Sequence, residues 1–465
     1  MKPVRRIVLV RPPYSLVYKL FGELPKHREV RVPLGLLSLA GSLIRHGYEV
    51  HVIDGEPRLE STEALVKKIL ALDPDVVGVT STTPEIHLAR DLITSLKRCR
   101  PGIITVLGGA HASAVPESTL ESIPQLDYIV VGEGEDAIVE IVQHLPREQI
   151  VKLPPVEDLD SLPFPAKHLV DPADYSYPHP QNGMVVLDAV ETSRGCPFNC
   201  IFCYHCNGNT TRFKSADRVW AEIRQSQEQF KAQMVMFFDD TFTLNKNRAK
   251  TILQGFLEKQ IKLKYHCFTR ADTLDEEIIR LMREAGFAKL TMGIESGDQS
   301  MLDRLNKGIR LEQYAKAYAM VYRAGLETRG SFMIGNPYES WSSVKASIDF
   351  ARSLDLFRIG VNIATPYPGT KLYDMALAGK GITLVESDWK NFTRWGRSVV
   401  RTPEMSARDL EQAQLAFLSA FYSNPKVIRY HMKRFWQGNR AYYYYRPFLW
   451  SIARNWKKPW RNCFV

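Results

Sequence analysis

Cysteine is scarce in this 465-residue chain: there are seven, an odd number, and four of them crowd between positions 196 and 206. That distribution excludes the paired framework of a small secreted disulfide scaffold and points to a reducing interior with a metal site. Long apolar runs are missing too. No stretch reaches the roughly 20 residues that a membrane-spanning helix needs. The opening MKPVRRIVLVRPPYS has an apolar run too short for a signal peptide. The expected location is therefore cytoplasmic, with peripheral contact at the inner face of a membrane as a second expectation. There is no internal repeat and no low-complexity segment. Acidic residues are absent from positions 426–465, which hold ten Lys/Arg; the other 51 basic residues balance the 51 acidic ones, so the net charge of +10 belongs to that tail.

What remains is ordinary globular composition, 45% hydrophobic and 24% charged, in a chain long enough for two or three domains. From residue 5 to 145, strand-like runs at 6–10, 48–53, 76–79, 104–107 and 128–131 alternate with amphipathic stretches such as 34–45 and 62–72. Strands spaced by helices predict a parallel, doubly wound sheet of flavodoxin-like (Rossmann-type) order over 1–145, with a ligand beyond the carboxyl ends of the strands. Gly108 and Gly109 follow one strand and Gly132 and Gly134 the next, while Ser81 and Thr82 end a third. One glycine pair reads as a tight turn; clusters at successive strand ends favour a nucleotide-like ligand close to the backbone.

Residues 146–184 are rich in proline and read as a linker lying across the surface. A second alternation follows, with strands at 185–191, 234–238, 265–269, 289–294, 327–334 and 360–364. Six strand–helix units over 185–387 predict a partial, TIM-like (β/α)6 barrel whose site lies at the strand carboxyl ends. The stretch 388–465 is expected to be a helical C-terminal region ending in the basic tail.

Directly after the first barrel strand the chain reads Glu191-Thr-Ser-Arg-Gly-Cys196-Pro-Phe-Asn-Cys200-Ile-Phe-Cys203-Tyr-His-Cys206. A zinc site needs a fourth ligand, and His205 and Cys206 crowd the same short loop. The C-x3-C-x2-C spacing of Cys196, Cys200 and Cys203 instead wraps three thiolates around three corners of a 4Fe–4S cubane and leaves one iron open. An open iron suits chelation by the amino and carboxylate groups of S-adenosylmethionine (SAM).

With this motif the sequence resembles the radical SAM superfamily, and the resemblance runs through the barrel in order. Phe202 matches the aromatic beside the adenine. Phe238-Asp239-Asp240 matches the segment that receives the SAM amino group, and Arg270 a third-strand position that often meets SAM. Gly293-Ile-Glu295-Ser296-Gly297 matches the fourth-strand segment for ribose and carboxylate. The segment ending at Gly335 matches the fifth-strand glycine-rich run beside the adenine, and Thr365-Pro-Tyr-Pro368-Gly369-Thr370 resembles the end of a sixth strand. Each has a plainer reading: Asp239 and Asp240 as helix caps, Glu295 as a buried ion-pair partner.

The domain in front resembles the cobalamin-binding group of that superfamily, through Pro33-Leu-Gly-Leu-Leu-Ser-Leu-Ala, Gly47-Tyr-Glu-Val, Gly108-Gly109 and Gly132-Glu-Gly-Glu. One departure has a consequence for the cofactor. Domains that ligate cobalt through histidine carry Asp-x-His-x-x-Gly after the first strand, whereas the loop from Arg11 to Gly22 has no histidine, and His27 lacks the Asp and Gly around it. The resemblance thus implies cobalamin bound without a histidine lower ligand, near Ser81, Thr82 and the four glycines. It implies a 5′-deoxyadenosyl radical that abstracts hydrogen from an unactivated carbon, followed by methylation of a hydrophobic or secondary-metabolite substrate. An electron donor such as flavodoxin or ferredoxin is implied as partner. The alternative is an oxidative cyclase or rearrangement enzyme acting on a porphyrin or lipid, since the chain also resembles anaerobic magnesium-protoporphyrin monomethyl ester cyclases. A methylthiotransferase would need three further cysteines in the N-terminal domain, which has only Cys99. No residue announces a catalytic acid or base; Tyr204, Cys206 and Tyr367 are nearby candidates.

The tail combines its ten cations with twelve aromatics. As a helix, Phe448, Leu449, Ile452 and Trp456 share a face, with Arg454, Lys457, Lys458 and Arg461 mostly opposite. That pattern suits either a helix packed on the barrel with its charged heads in water or contact with an anionic membrane. No base-reading module accompanies it, so nucleic acid is not expected.

Overall fold

The computed structural model describes residues 3–17, 30–179 and 183–436. The tail helix expected over 448–461 and His27 lie outside these residues.

Apolar β-branched runs build the first sheet. Its strands are β1 (Arg6–Arg11), β2 (Glu49–Asp54), β3 (Val76–Thr80), β4 (Ile104–Gly108), β5 (Tyr128–Val131) and β6 (Ile150–Lys152), all parallel in the order β2-β1-β3-β4-β5-β6. The flavodoxin-like order holds for the first five. The sixth comes from the proline-rich stretch expected to be only linker: three residues satisfy the free edge of β5, too short a run to show a strand pattern. The remainder of that stretch is anchored rather than loose. Ala166 donates its backbone N–H to Leu37 O (2.9 Å), and Lys167 is buried against Asp188 and the Ser226 hydroxyl.

The second sheet begins with an antiparallel edge strand, β7 (Ser176–His179), followed by β8 (Gly183–Val190). After the two-residue strands β9 (Ser193–Arg194) and β10 (Arg212–Phe213), which pair with each other, come β11 (Met234–Phe237), β12 (Lys264–Thr269), β13 (Phe287–Glu295), β14 (Glu327–Ile334) and β15 (Arg358–Ile363). The order β15-β14-β13-β12-β11-β8-β7 is sequential and open, giving a six-stranded parallel half-barrel with β7 added at one edge. Outward residues of these strands meet the helices. Phe237 stacks on Phe242 (4.6 Å between ring centres) and Phe256 on Tyr265 (4.9 Å), each buried ring contributing roughly 1.5–3 kcal/mol. Helix starts follow local chemistry: Ser215, Asn245, Asp275 and Ser406 each accept from a backbone N–H three residues on, at 2.8–3.2 Å.

The C-terminal region differs from expectation at its start. Residues 388–406 are not a continuous helix. They carry a short 3-10 turn (Trp389–Asn391) and the strand β17 (Val400–Arg401), which pairs antiparallel with β16 (Thr383–Leu384). Trp389 and Phe392 pack edge-to-face at 4.7 Å, so their apolar pattern belongs to a packed loop. Helices follow at Ala407–Tyr422 and Pro425–Trp436.

Candidate active site

The cysteine loop leaves β8 and is pinned on both sides. Cys196 donates its N–H to Gly208 O (3.3 Å), Ile201 to Leu305 O (3.1 Å), and Leu372 to Ile201 O (2.8 Å). The last contact seats the helix that follows the Thr365–Thr370 segment against the loop. Two aromatics of the loop face cations: Phe198 lies 3.5 Å from the Arg270 guanidinium and Phe202 5.6 Å from the Lys307 ammonium. Cys196, Cys200 and Cys203 are free thiols and line one cavity of about 480 Å³. A hydrogen bond from Cys203 pulls the Cys200 thiol down from its ordinary range and holds that of Cys203 up. No group of three or more His, Cys, Asp or Glu among the described residues converges on a single metal ion. A cubane asks for something different, thiolates spread over three corners, and three free thiols around one cavity mouth meet that demand.

The same cavity is walled by Phe202, Asp239, Asp240, Arg270 and Glu295. Asp239 is buried and fixed by the Thr192 hydroxyl (2.6 Å), the Thr192 N–H (3.2 Å) and the Ser193 hydroxyl. Asp239 thus lines the cavity from a set position, and the helix that follows is capped by Asn245 instead. Glu295 does have the ion-pair partner that the plainer reading foresaw: Lys307, at 2.9 Å. Burial opposes the charge on Lys307, but Glu295 offsets that and holds the ammonium above its ordinary range. Two of the expected SAM residues do not line this cavity. Ser296 is buried with its hydroxyl 3.1 Å from that of Ser347, and Gly335 packs beside Leu410. Tyr204 and Cys206 line the cavity, whereas Tyr367 donates its hydroxyl to Phe392 O (3.0 Å).

A second cleft of about 460 Å³ opens at the carboxyl ends of β1, β3, β4 and β5. Gly108, Gly109, Gly132 and Gly134 line it; Ser81 and Thr82 do not, and Thr80 stands in their place. The glycines differ in what they serve. A Cβ at Gly109 would lie 2.5 Å from Ser81 O, so its bareness accommodates the protein's own backbone. Gly132, at φ +87°, has nothing within 4 Å of a Cβ, so its bareness leaves room in the cleft. Among the described residues, no histidine lines the cleft. The buried His111, pushed down to about 4 by burial, sits beyond it, with Nδ1 3.2 Å from the Thr83 hydroxyl. The open backbone at Gly132 fits the close approach of a cobalamin.

Phe238 and Asn207 line both cavities. The two domains are clamped beside this shared wall. Arg194, two residues before Cys196, reaches Glu135 (2.6 Å), Glu191 (2.7 Å) and Glu133 (3.3 Å), and Arg212 also binds Glu133. The Gly132-Glu-Gly-Glu segment thus lines the cleft with its glycines and grips the cysteine loop with its glutamates. Residues that motif reading passed over are Lys307, Arg194 and Arg31, which enters the cluster cavity from the first domain. The only sequence signal for Arg194 was its place in the run leading to Cys196; Lys307 and Arg31 had none, because tertiary contact alone brings them in.

Residues 29–142 match the B12 binding domain family and residues 190–351 the radical SAM superfamily. An uncharacterized methyltransferase of Pyrococcus horikoshii is 31% identical over 446 residues, covering 91% of this chain and 94% of that protein. An anaerobic magnesium-protoporphyrin IX monomethyl ester cyclase of Rubrivivax gelatinosus is 25% identical over 452 residues, covering 91% of this chain and 79% of that one. Among solved structures, the radical SAM methyltransferase TsrM of Kitasatospora setae, with cobalamin and a 4Fe–4S cluster bound, superposes with a TM-score of 0.69. It covers 90% of this chain and 91% of that one at 19% identity, a likeness of fold.

Proposed function

Because the chain belongs to the radical SAM enzymes that carry a B12-binding domain, we propose that it methylates an unactivated carbon of a small-molecule substrate. The observation that carries this reading is the shared wall: the cysteine-lined cavity and the glycine-lined cleft meet at Phe238 and Asn207. A substrate at that wall faces both cofactors. When bound, the cluster supplies the electron that converts SAM to methionine and a 5′-deoxyadenosyl radical, and cobalamin supplies a transferable methyl group. The chain's part is to bind, orient and exclude water.

Cys196, Cys200 and Cys203 hold the cluster. Asp239, locked by Thr192 and Ser193, accepts from the SAM amino group, and Arg270, stacked on Phe198, meets SAM from the third strand. Glu295 and Lys307 form a neutral pair that presents polar groups to the ribose and carboxylate without leaving a net charge in the wall. Phe202 would lie against the adenine, and Phe238 with Phe268, which line the same cavity, would keep the reacting centre dry. Gly132 and its neighbours cradle cobalamin. An oxidative cyclase is the second reading, favoured by the likeness to the Rubrivivax protein.

The test is anaerobic reconstitution with iron, sulfide and cobalamin, followed by incubation with reductant, candidate acceptors and SAM deuterated in its methyl group. Methylation predicts 5′-deoxyadenosine together with a product carrying the deuterated methyl. Deoxyadenosine with an oxidised, unmethylated product would replace methylation with cyclase chemistry. Absence of deoxyadenosine with every acceptor would overturn both.

A further inference from the structure

On the concave face of the half-barrel one cation, Arg329, stands apart from the ion pairs around it. Along β13 and β14, Leu290, Met292, Phe332 and Ile334 join the core behind the sheet, so alternate residues such as Thr291, Arg329 and Ser331 face into the bowl. Thr291 and Gly293 line the cluster cavity. The register sets Arg329 directly beside Thr291, and Ser331 beside Gly293. Arg329 therefore lies one strand from the wall of the reaction cavity, a spacing of about 4.8 Å.

The Arg329 side chain is half-buried and has no hydrogen-bond or ion-pair partner among the described residues. Nearby acids are engaged elsewhere: Glu327 by Arg358 (2.9 Å) and Glu295 by Lys307. Gly360 on β15 gives the guanidinium its room, since a Cβ there would come within 3.2 Å of Arg329 Nη2. Beside it, Asn362 donates one amide hydrogen to the Ser331 hydroxyl (3.2 Å). That leaves the second Asn362 hydrogen and the Ser331 proton free to donate. His266, bonded to Thr291 at 3.0 Å, brings no negative charge. Burial, and then the charges of Lys289, Arg329 and Arg31, keep it neutral. Adjoining strands thus present a guanidinium, a hydroxyl and an amide, all with free donors, and no free carboxylate between them. A half-buried, uncompensated cation among donors is costly unless an anion completes it.

We propose that Arg329, Ser331 and Asn362 form an oxyanion-binding subsite on the barrel floor, which takes a carboxylate or phosphoryl group of the substrate and so holds the reacting carbon at the mouth above. The inference rests on the reading that SAM-dependent radical chemistry occurs at that mouth. A planar guanidinium suits either group, because it can form two parallel hydrogen bonds to one oxyanion.

The full-length protein, anaerobically reconstituted with cluster and cobalamin, is titrated with inorganic phosphate and, separately, with acetate. Binding is followed by calorimetry and by tryptophan fluorescence, since Trp395 lies 3.9 Å from the Cβ position of Gly360. At least one anion is expected to bind saturably, and the stronger one identifies a phosphoryl or a carboxylate substrate. R329Q should weaken binding about tenfold or more, as loss of a charged hydrogen-bond donor implies, while R329K keeps part of it. N362A, a milder change, should weaken binding too and guards against misfolding of the arginine variants. Saturation by neither anion, or unchanged binding in folded R329Q and N362A, overturns the subsite. SAM cleavage in the same wild-type sample separates the two ideas: cleavage without anion binding sinks the subsite alone, and anion binding without cleavage sinks the radical reading alone.

Discussion

Two ionisable sites show how single residues act here. Four thiols lie within eleven positions, but only three have the spacing for a cubane. Cys206 is exposed on the cavity wall. C206S is expected to keep full iron and sulfide content after reconstitution, while C203S loses most of both; equal loss in the two variants would make Cys206 a ligand. Glu339 lies buried behind the site, accepting from Asn336 (2.8 Å) and from Ser343. Burial, against those hydrogen bonds, raises its carboxyl from 4.5 to about 7. A carboxyl raised in the folded state favours folding most below its unfolded pKa, and that contribution fades as pH rises through the folded one. Relative to E339Q, the wild type should therefore lose stability between about pH 4.5 and 7 and hold a constant difference above. Chemical denaturation of both proteins across that range is the measurement, and parallel curves would refute the assignment.

At the scale of elements, the Gly132-Glu-Gly-Glu loop and the β9 strand behave as one joint. Arg194 serves three glutamates, all with side chains less than one-fifth exposed. Breaking such a pair leaves buried charge uncompensated, at about 3–5 kcal/mol. R194M should therefore melt well below wild type and retain less cobalamin, and a melting point equal to wild type would show that the clamp is idle. Gly132 supports a sharper expectation. Its left-handed φ makes G132A mildly destabilising, about 1 kcal/mol, yet the added methyl enters the open cleft. Bound cobalamin, measured by its absorbance after gel filtration, should fall far more than stability does. Full cobalamin retention in G132A would move the cofactor away from this loop.

For the molecule as a whole, no helix of the described residues is long and apolar enough to cross a membrane. The excess charge nevertheless lies at one end of the chain, among aromatics. The start of that stretch packs on the barrel, where Lys426 pairs with Asp355 and Tyr430 stacks on Phe357; we propose that the part beyond Trp436 contacts anionic lipid. Truncation after Trp436 should then abolish cosedimentation with phosphatidylserine vesicles at low salt and leave neutral vesicles unaffected; binding that survives truncation would end the idea.

Local sequence by itself determined most of the elements and marked three cysteines as the expected cluster ligands. Alternating apolar runs, capped helices and a three-cysteine spacing are properties of short segments, and they are readable because period, cap and loop length act over a few residues. The strand β6 and the packed loop at 388–406 escaped that logic, because pairing with a free edge and burial against a distant surface define them. The site divides in the same way. Asp239 and Glu295 stood out beside their own strands, but Lys307, Arg194 and Arg31 acquire roles only where separate segments meet. Ser81, Thr82, Ser296 and Gly335 had plausible places in sequence, yet they do not line the two cavities, since hydrogen bonds and packing within the protein engage them. The shared wall at Phe238 and Asn207 is a decision of tertiary structure alone, because only docking of the domains turns two cavities into one reaction space.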